Sequence, residues 1–204
     1  MSEYIEQGLS HGETLSLAQG NFYWTVPNAI SDKDCKKIID RYEDLQQFEP
    51  SQVADGQKNI RKSQSVFDNL DWVFDLIWPH QKEANQLADW HFKIQAAENY
   101  QVTKYEEGDF YAPHIDSLGT NATKRICPNK PNLHHKTRKM SMTLNLNDPS
   151  EYEGGELRLY GVGNLPADKG TVHFFPSFLP HEVTPITKGV RYSLVVWFLG
   201  PPWE

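Results

Sequence analysis

His114 and Asp116 stand two residues apart in the run Phe-Tyr-Ala-Pro-His-Ile-Asp that begins at residue 110. If this run is a strand, period-two alternation sends both side chains from one face, with Cα atoms about 6.5–7 Å apart. An imidazole and a carboxylate so placed make a pincer for one ion. The pair by itself is weak evidence, since His-x-Asp is common without any metal. His181 strengthens it, because it opens another extended segment far along the chain. A third ligand from a distant strand is how a jelly roll encloses a metal. Two imidazoles and one carboxylate form the facial donor set suited to non-haem Fe(II), with the opposite face left open for other ligands.

Arg191 follows His181 by ten residues, in the run Val-Arg-Tyr-Ser-Leu-Val-Val-Trp-Phe. Alternation puts Arg191, Ser193 and Trp197 on one face of that strand. A guanidinium offers a carboxylate two parallel hydrogen bonds and keeps its charge at any physiological pH, so Arg191 suits the far end of a dicarboxylate. The competing reading is an edge-strand arginine in a surface ion pair. On the segment 138–146, Ser141, Thr143 and Asn145 form a polar face opposite Met140, Met142, Leu144 and Leu146.

The elements that must hold these groups are readable. From about Tyr100 the chain becomes short alternating segments punctuated by Gly, Asn and Pro, with strands expected at 102–105, 110–116, 138–146, 156–160, 171–175, 181–185 and 190–198. Many short strands without intervening helices indicate a sandwich or jelly roll. Before them, residues 21–27 read as a strand ended by Pro27. Ser31 then caps a helix with Cys35, Ile38, Ile39 and Tyr42 on its apolar face. A polar stretch spans 46–65. Leu70, Val73, Phe74, Ile77, Ala84, Leu87 and Ala88 predict a second helical region, interrupted near Trp78 because Pro79 disfavours a helical residue before it. The expected fold is mainly β with flanking helices, a double-stranded β-helix of the cupin-like jelly-roll kind. It would be one domain, with an arm, strand and supporting helices in 1–95 and the catalytic core in 96–204.

The ordered set Tyr105-Glu-Glu-Gly-Asp-Phe-Tyr111-Ala-Pro-His114-Ile-Asp116, then Glu153-Gly-Gly-Glu-Leu157, His181-Glu-Val-Thr-Pro185 and Arg191-Tyr-Ser193 resembles the 2-oxoglutarate and Fe(II)-dependent dioxygenases. Within them it is similar to the prolyl 4-hydroxylase-like group of bacterial and phage type. The resemblance covers about residues 95–200. It implies that His114, Asp116 and His181 hold Fe(II), and that Arg191 pairs with the far carboxylate of 2-oxoglutarate. Oxidative decarboxylation of this co-substrate by O2 would yield succinate and CO2 and drive hydroxylation of a C–H bond, with ascorbate as an accessory reductant. Retention of Asp116 favours hydroxylation over halogenation, since the similar halogenases lack that carboxylate. Tyr105 matches a tyrosine that hydrogen-bonds the co-substrate. Asn145 matches a polar pocket position that is tyrosine in oxygen-sensing relatives, and Ser193 matches an Arg-x-Ser hydroxyl. Tyr111 and Trp197 match aromatic residues on the substrate side, and both suit a proline ring within a peptide or protein.

Composition narrows the partners. Two hundred and four residues carry a net charge of −7, which argues against a general nucleic-acid or anionic-membrane binder. No stretch approaches the ~18 uncharged apolar residues of a membrane span. Lys124, Arg125, Lys130, Lys136, Arg138 and Lys139 fall within 117–139 without an acid. This segment reads as a solvated loop or as a mobile lid that meets substrate. The polar, acidic start of the chain lacks a secretory signal's pattern, and Cys35 and Cys127 are too few for a disulfide framework. A reducing cytoplasm is therefore expected. His134, His135 and Cys127 fit no common zinc spacing. His173 reads as a hydrogen-bonded sheet residue, and Gly154-Gly155 as a turn. Iron and co-substrate residues do not fix the substrate, so the same chemistry on a free amino acid, a small metabolite or a nucleobase stays open, as does a non-catalytic jelly-roll module. Oligomeric state is left open.

Overall fold

Alternation along four long strands builds the core and the site at once. Strands β6 (Tyr100–Tyr105), β8 (Thr137–Asn145), β12 (Val172–Pro176) and β15 (Arg191–Gly200) are neighbours in one antiparallel sheet. Tyr100, Val102, Met140, Met142, Leu144, Val172, Phe174, Leu194, Val196 and Phe198 form one apolar cluster with Ile38, Tyr42, Val73, Ile77 and Ala84 of the two helices. The intervening residues Thr103, Tyr105, Thr143, Arg191, Ser193 and Trp197 line a cavity on the other face. The computed structural model describes residues 22–51, 60–117, 133 and 135–203.

Helix α1 (Asp32–Asp44) starts where the Ser31 hydroxyl accepts a bond from the Asp34 amide, the expected cap. Helix α2 (Asp71–Leu87) corrects the sequence reading, because it runs unbroken through Pro79. Pro79 and Asp75 both lie on the exposed face. The Asp75 carbonyl that loses its donor therefore faces water, and burial of Val73, Ile77, Gln81 and Ala84 offsets a cost of order 3 kcal/mol. Side chains pin α1 to the sheet. Tyr192 donates from its hydroxyl to Glu43 at 2.7 Å, and Tyr42 reaches Asp68 at 2.9 Å and Tyr100 at 2.6 Å.

The large sheet has eight strands in the order β1-β12-β8-β15-β6-β4-β2, where β1 is Trp24–Val26, β2 Glu49–Pro50 and β4 Gln64–Asp68; β5 (Ala96–Ala97) also pairs with β15. A five-stranded sheet runs β11-β10-β13-β7-β3, with β3 Arg61–Lys62, β7 Phe110–His114, β10 Leu157–Leu159, β11 Gly163–Asn164 and β13 His181–Val183. Strands β9 (Tyr152–Gly154) and β14 (Ile186–Gly189) form a separate pair. Residues from both larger sheets line the one cavity, which is the double-stranded β-helix expected.

All seven strands expected after Tyr100 appear. β7, however, stops at His114, so Asp116 lies beyond the strand and not within it. The chain turns off there because the Asp116 and Ser117 amides both donate to the Ser177 carbonyl, at 3.0 and 2.9 Å. The polar stretch 46–65 was not read as strand, yet β2, β3 and the start of β4 form there. Arg138 and Lys139, counted in the basic segment, belong to β8 and are engaged: Arg138 forks onto Glu98, and Lys139 is buried against Trp203. Lys124, Arg125, Lys130, Cys127 and His134, like the amino-terminal arm, lie outside the described residues. Among the described residues no helix is long and apolar enough to cross a membrane.

His173 is fully buried and satisfied, its ring nitrogens 2.9 Å from Thr25 Oγ1 and 2.8 Å from the Pro166 carbonyl. Burial pushes its pKa down to about 4, against a usual value near 6.5. Below pH 6.5 the unfolded chain takes up this proton and the folded one does not. Stability is therefore expected to fall as pH drops from about 6.5 to about 4, by up to about 3 kcal/mol from this group. Denaturant titrations across that window should show a flatter slope in His173→Gln; an identical slope would refute the assignment.

Candidate active site

His114 ends β7 and His181 begins β13, and the two are direct cross-strand partners. Their rings lie 4.2 Å apart between centroids. Each Nδ1 donates to the carbonyl two residues earlier, His114 to Ala112 and His181 to Leu179, both at 2.9 Å. A carbonyl only accepts, so the proton sits on Nδ1 and each Nε2 presents a lone pair. Those lone pairs flank Asp116: His114 Nε2 is 3.7 Å from Oδ1 and His181 Nε2 is 3.5 Å from Oδ2. All three donor atoms lie within 4.8 Å of one another. Donors about 2.1 Å from one ion and at right angles would be roughly 3 Å apart, so small side-chain shifts suffice to close the site on a metal. The residues fit Fe(II).

The electrostatics prepare it. Burial opposes charge on Asp116, but the nearby Arg138 guanidinium and the hydrogen bond from the Ser141 hydroxyl help hold the carboxyl below the usual aspartate range. Burial, with His181 beside it, pushes His114 down to about 4 and keeps it neutral. Ser141 Oγ donates to Asp116 Oδ2 at 2.6 Å and meets Ser177 Oγ at 2.9 Å. Partners of this kind orient ligands, so Ser141→Ala is expected to weaken metal binding roughly 10–100-fold. Titration with Mn(II) or anaerobic Fe(II) reads this directly; wild-type affinity would show that the hydroxyl does not orient the carboxylate.

Arg191 lies deeper on β15 and is 2% exposed. Its strand neighbour is Tyr105, whose ring centre is 5.6 Å from the guanidinium carbon, and its Nη2 donates to Asn145 Oδ1 at 3.3 Å. Gly155, at φ +67°, makes room for it: a Cβ there would approach Arg191 Cδ to 3.0 Å and overlap Ile186. Among the described residues no carboxylate lies within ion-pair distance of Arg191. A buried cation without an anion is costly, and the cavity beside it is where an anion would go.

The cavity gathers His114, Asp116, His181, Arg191, Tyr105 and Ser193, with Tyr111 and Trp197 among its walls. Asn145 does not line it but stands behind Arg191. Tyr111 stacks on His114 at 3.5 Å between centroids, and Arg61 lies 4.7 Å over the tyrosine ring. Trp197 carries the Arg138 guanidinium 3.8 Å over its ring, and its buried Nε1 has no acceptor among the described residues. Sequence reasoning did not single out Arg61 or the Arg138–Glu98 fork. Arg61 sits on a two-residue strand in a polar stretch, which hydrophobic periodicity does not mark.

Two facing sheets thus hold two histidines and an aspartate between them, with a buried arginine deeper on the same walls. Residues 100–199 match the family model of the 2OG-Fe(II) oxygenase superfamily. A PKHD-type hydroxylase of Alteromonas mediterranea is 37% identical over 46% of this chain and 40% of its own length. The match to that relative thus spans about two fifths of its length. Among solved structures, the viral collagen prolyl hydroxylase of Paramecium bursaria Chlorella virus-1, in its 2OG complex, superposes with TM-score 0.68 at 20% identity, over 89% of this chain and 98% of that one. A Pseudomonas putida prolyl-4-hydroxylase gives 0.65 at 20% identity, over 91% and 96%. These two likenesses extend the fold match to the amino-terminal helices.

Proposed function

We propose that the protein is an Fe(II)- and 2-oxoglutarate-dependent dioxygenase that hydroxylates a prolyl residue within a polypeptide. The observation that carries the first half is the buried Arg191 without an anion, in the cavity whose walls also bear His114, Asp116 and His181. In this reading the three residues hold Fe(II), which when bound supplies the oxidising chemistry that couples O2 and 2-oxoglutarate decarboxylation to hydroxylation. Arg191 takes the far carboxylate with its two-pronged fork. Tyr105 and Ser193 offer hydroxyls beside it, and Asn145 steadies it from behind. The apolar walls, Leu157, Phe175 and Val183 among them, exclude water from the reacting centre. Ascorbate would act only as an accessory reductant.

The prolyl substrate is supported by the side chains at the iron end. Tyr111 and Trp197 present aromatic surface on which a pyrrolidine ring packs, and the Trp197 indole N–H awaits an acceptor such as a peptide carbonyl. The solved structures it resembles are named as prolyl hydroxylases. Residues 124–130, with their three cations, would meet acidic groups flanking the target proline. The test is incubation of the purified protein with Fe(II), 2-oxoglutarate and panels of proline-containing peptides against free amino acids and nucleobases. Succinate release together with a one-oxygen mass gain in a peptide is the expected result. Gain only in a free small molecule would overturn the prolyl assignment, and no 2-oxoglutarate turnover with any substrate would overturn the activity.

A further inference from the structure

Arg191 is held from behind by a run of hydrogen bonds that crosses β15, β8, the loop at Pro166, β12 and β1. Arg191 Nη2 donates to Asn145 Oδ1 at 3.3 Å, and Asn145 Nδ2 donates to the Pro166 carbonyl at 3.2 Å. The same carbonyl takes a second, shorter bond from His173 Nε2 at 2.8 Å, and His173 Nδ1 faces Thr25 Oγ1 at 2.9 Å. Every donor and acceptor is fixed by its neighbour. A carbonyl only accepts, so Nε2 carries the ring proton and Nδ1 accepts from Thr25. A guanidinium only donates, so Asn145 must turn its oxygen to Arg191 and its nitrogen to Pro166.

His173 is not needed by the cavity wall, which it does not line, and it is an expensive choice for the core. It has no exposed surface and pairs across the sheet with Thr143. A buried imidazole pays desolvation that an apolar side chain would not, and both of its nitrogens must then be matched. Thr25 matches Nδ1, and Nε2 is matched by the Pro166 carbonyl, whose other partner is the amide that contacts Arg191.

The geometry points to His173 as a positioning residue for the co-substrate anchor: by holding the Pro166 carbonyl it locks the Asn145 amide with its oxygen toward Arg191, and so fixes the guanidinium fork for a dicarboxylate. The inference rests on the reading of Arg191 given above. Without the lock, Asn145 is free to rotate, and a long arginine side chain must lose more freedom when it binds. A preorganised site tolerates only about 0.5 Å of misplacement.

The experiment is calorimetric titration of 2-oxoglutarate into Mn(II)-loaded protein, with steady-state kinetics alongside. His173→Phe keeps ring volume and removes both bonds, and it should weaken 2-oxoglutarate binding roughly three- to thirtyfold. Mn(II) affinity and kcat at saturating 2-oxoglutarate should stay within about twofold. His173→Gln, whose terminal amide reaches the place of Nε2, should restore the affinity. Should His173→Phe not fold, His173→Asn takes its place, since its amide can face Thr25 but is too short for Pro166. Asn145→Ala should weaken 2-oxoglutarate binding by itself, and adding His173→Phe to it should cost nothing more. A His173→Phe protein that melts earlier yet binds 2-oxoglutarate as wild type would overturn the inference, as would effects of the two variants that multiply. Arg191→Ala separates the two levels. If it weakens 2-oxoglutarate binding and the His173 variants do not, the relay alone is wrong; if Arg191→Ala binds normally, the co-substrate reading falls and the relay with it.

Discussion

Replacing His181 by alanine is expected to reduce iron-dependent succinate formation to background while the fold survives. Among the described residues, His181 supplies one of the two Nε2 lone pairs facing Asp116. Removing it leaves a nitrogen and a carboxylate, a set too small to hold Fe(II) with a defined open face. The structural cost is limited. The ring is 7% exposed as a side chain and packs edge-on to Phe175 at 4.8 Å, so about 1–3 kcal/mol of stability is lost. Circular dichroism should remain native, and Mn(II) titration should show weakened binding. His114→Ala should behave alike, and Asp116→Ala should fail even though Ser141 and Ser177 remain to bind each other. Near-normal succinate release by His181→Ala with iron as the sole metal would remove the site from consideration.

The second large effect belongs to Arg191. Two charge-assisted bonds to a buried carboxylate are together worth about 3 kcal/mol, so Arg191→Ala should raise the apparent KM for 2-oxoglutarate on the order of 100-fold. Metal binding should be untouched, because Arg191 contacts neither histidine among the bonds the structure contains. Arg191→Lys keeps the charge but loses the planar fork, and its loss should be intermediate. Unchanged 2-oxoglutarate affinity in the alanine variant would rule out Arg191 as the anchor.

The parts of this molecule that were legible in the sequence are those governed by alternation. Arg191, Ser193 and Trp197 share a face because period two admits no other arrangement, and the same rule exposed the polar face of β8. The spacing of His114 and Asp116 was legible too, though for an incomplete reason. The strand ends at His114, and it is the Ser177 carbonyl, far along the chain, that catches the Asp116 amide. Such a contact leaves no local pattern. Pro79 misled because its cost depends on which side of the helix it occupies, and that is set by packing. Arg61 was hidden because its strand is two residues long and polar. Alternation put Asn145 on the polar face and the family resemblance singled it out, yet its bonds to Arg191 and to the Pro166 carbonyl depend on a contact that folding alone brings near.

Strand β15 presents Leu194, Val196 and Phe198 to the helices and Arg191, Ser193, Val195 and Trp197 to the cavity. Neighbouring positions on one ribbon therefore answer to different selective demands. A change at an even-numbered position from 194 to 198 alters how firmly the scaffold stands, whereas a change at an odd-numbered one alters what the cavity accepts. Substrate preference can then drift by single substitutions without each step eroding the scaffold, and a gene encoding such a ribbon can explore new substrates at little structural risk. The exception is position 155, where any side chain would press on both Ile186 and Arg191 at once, so that glycine couples the two kinds of demand and leaves no room for drift.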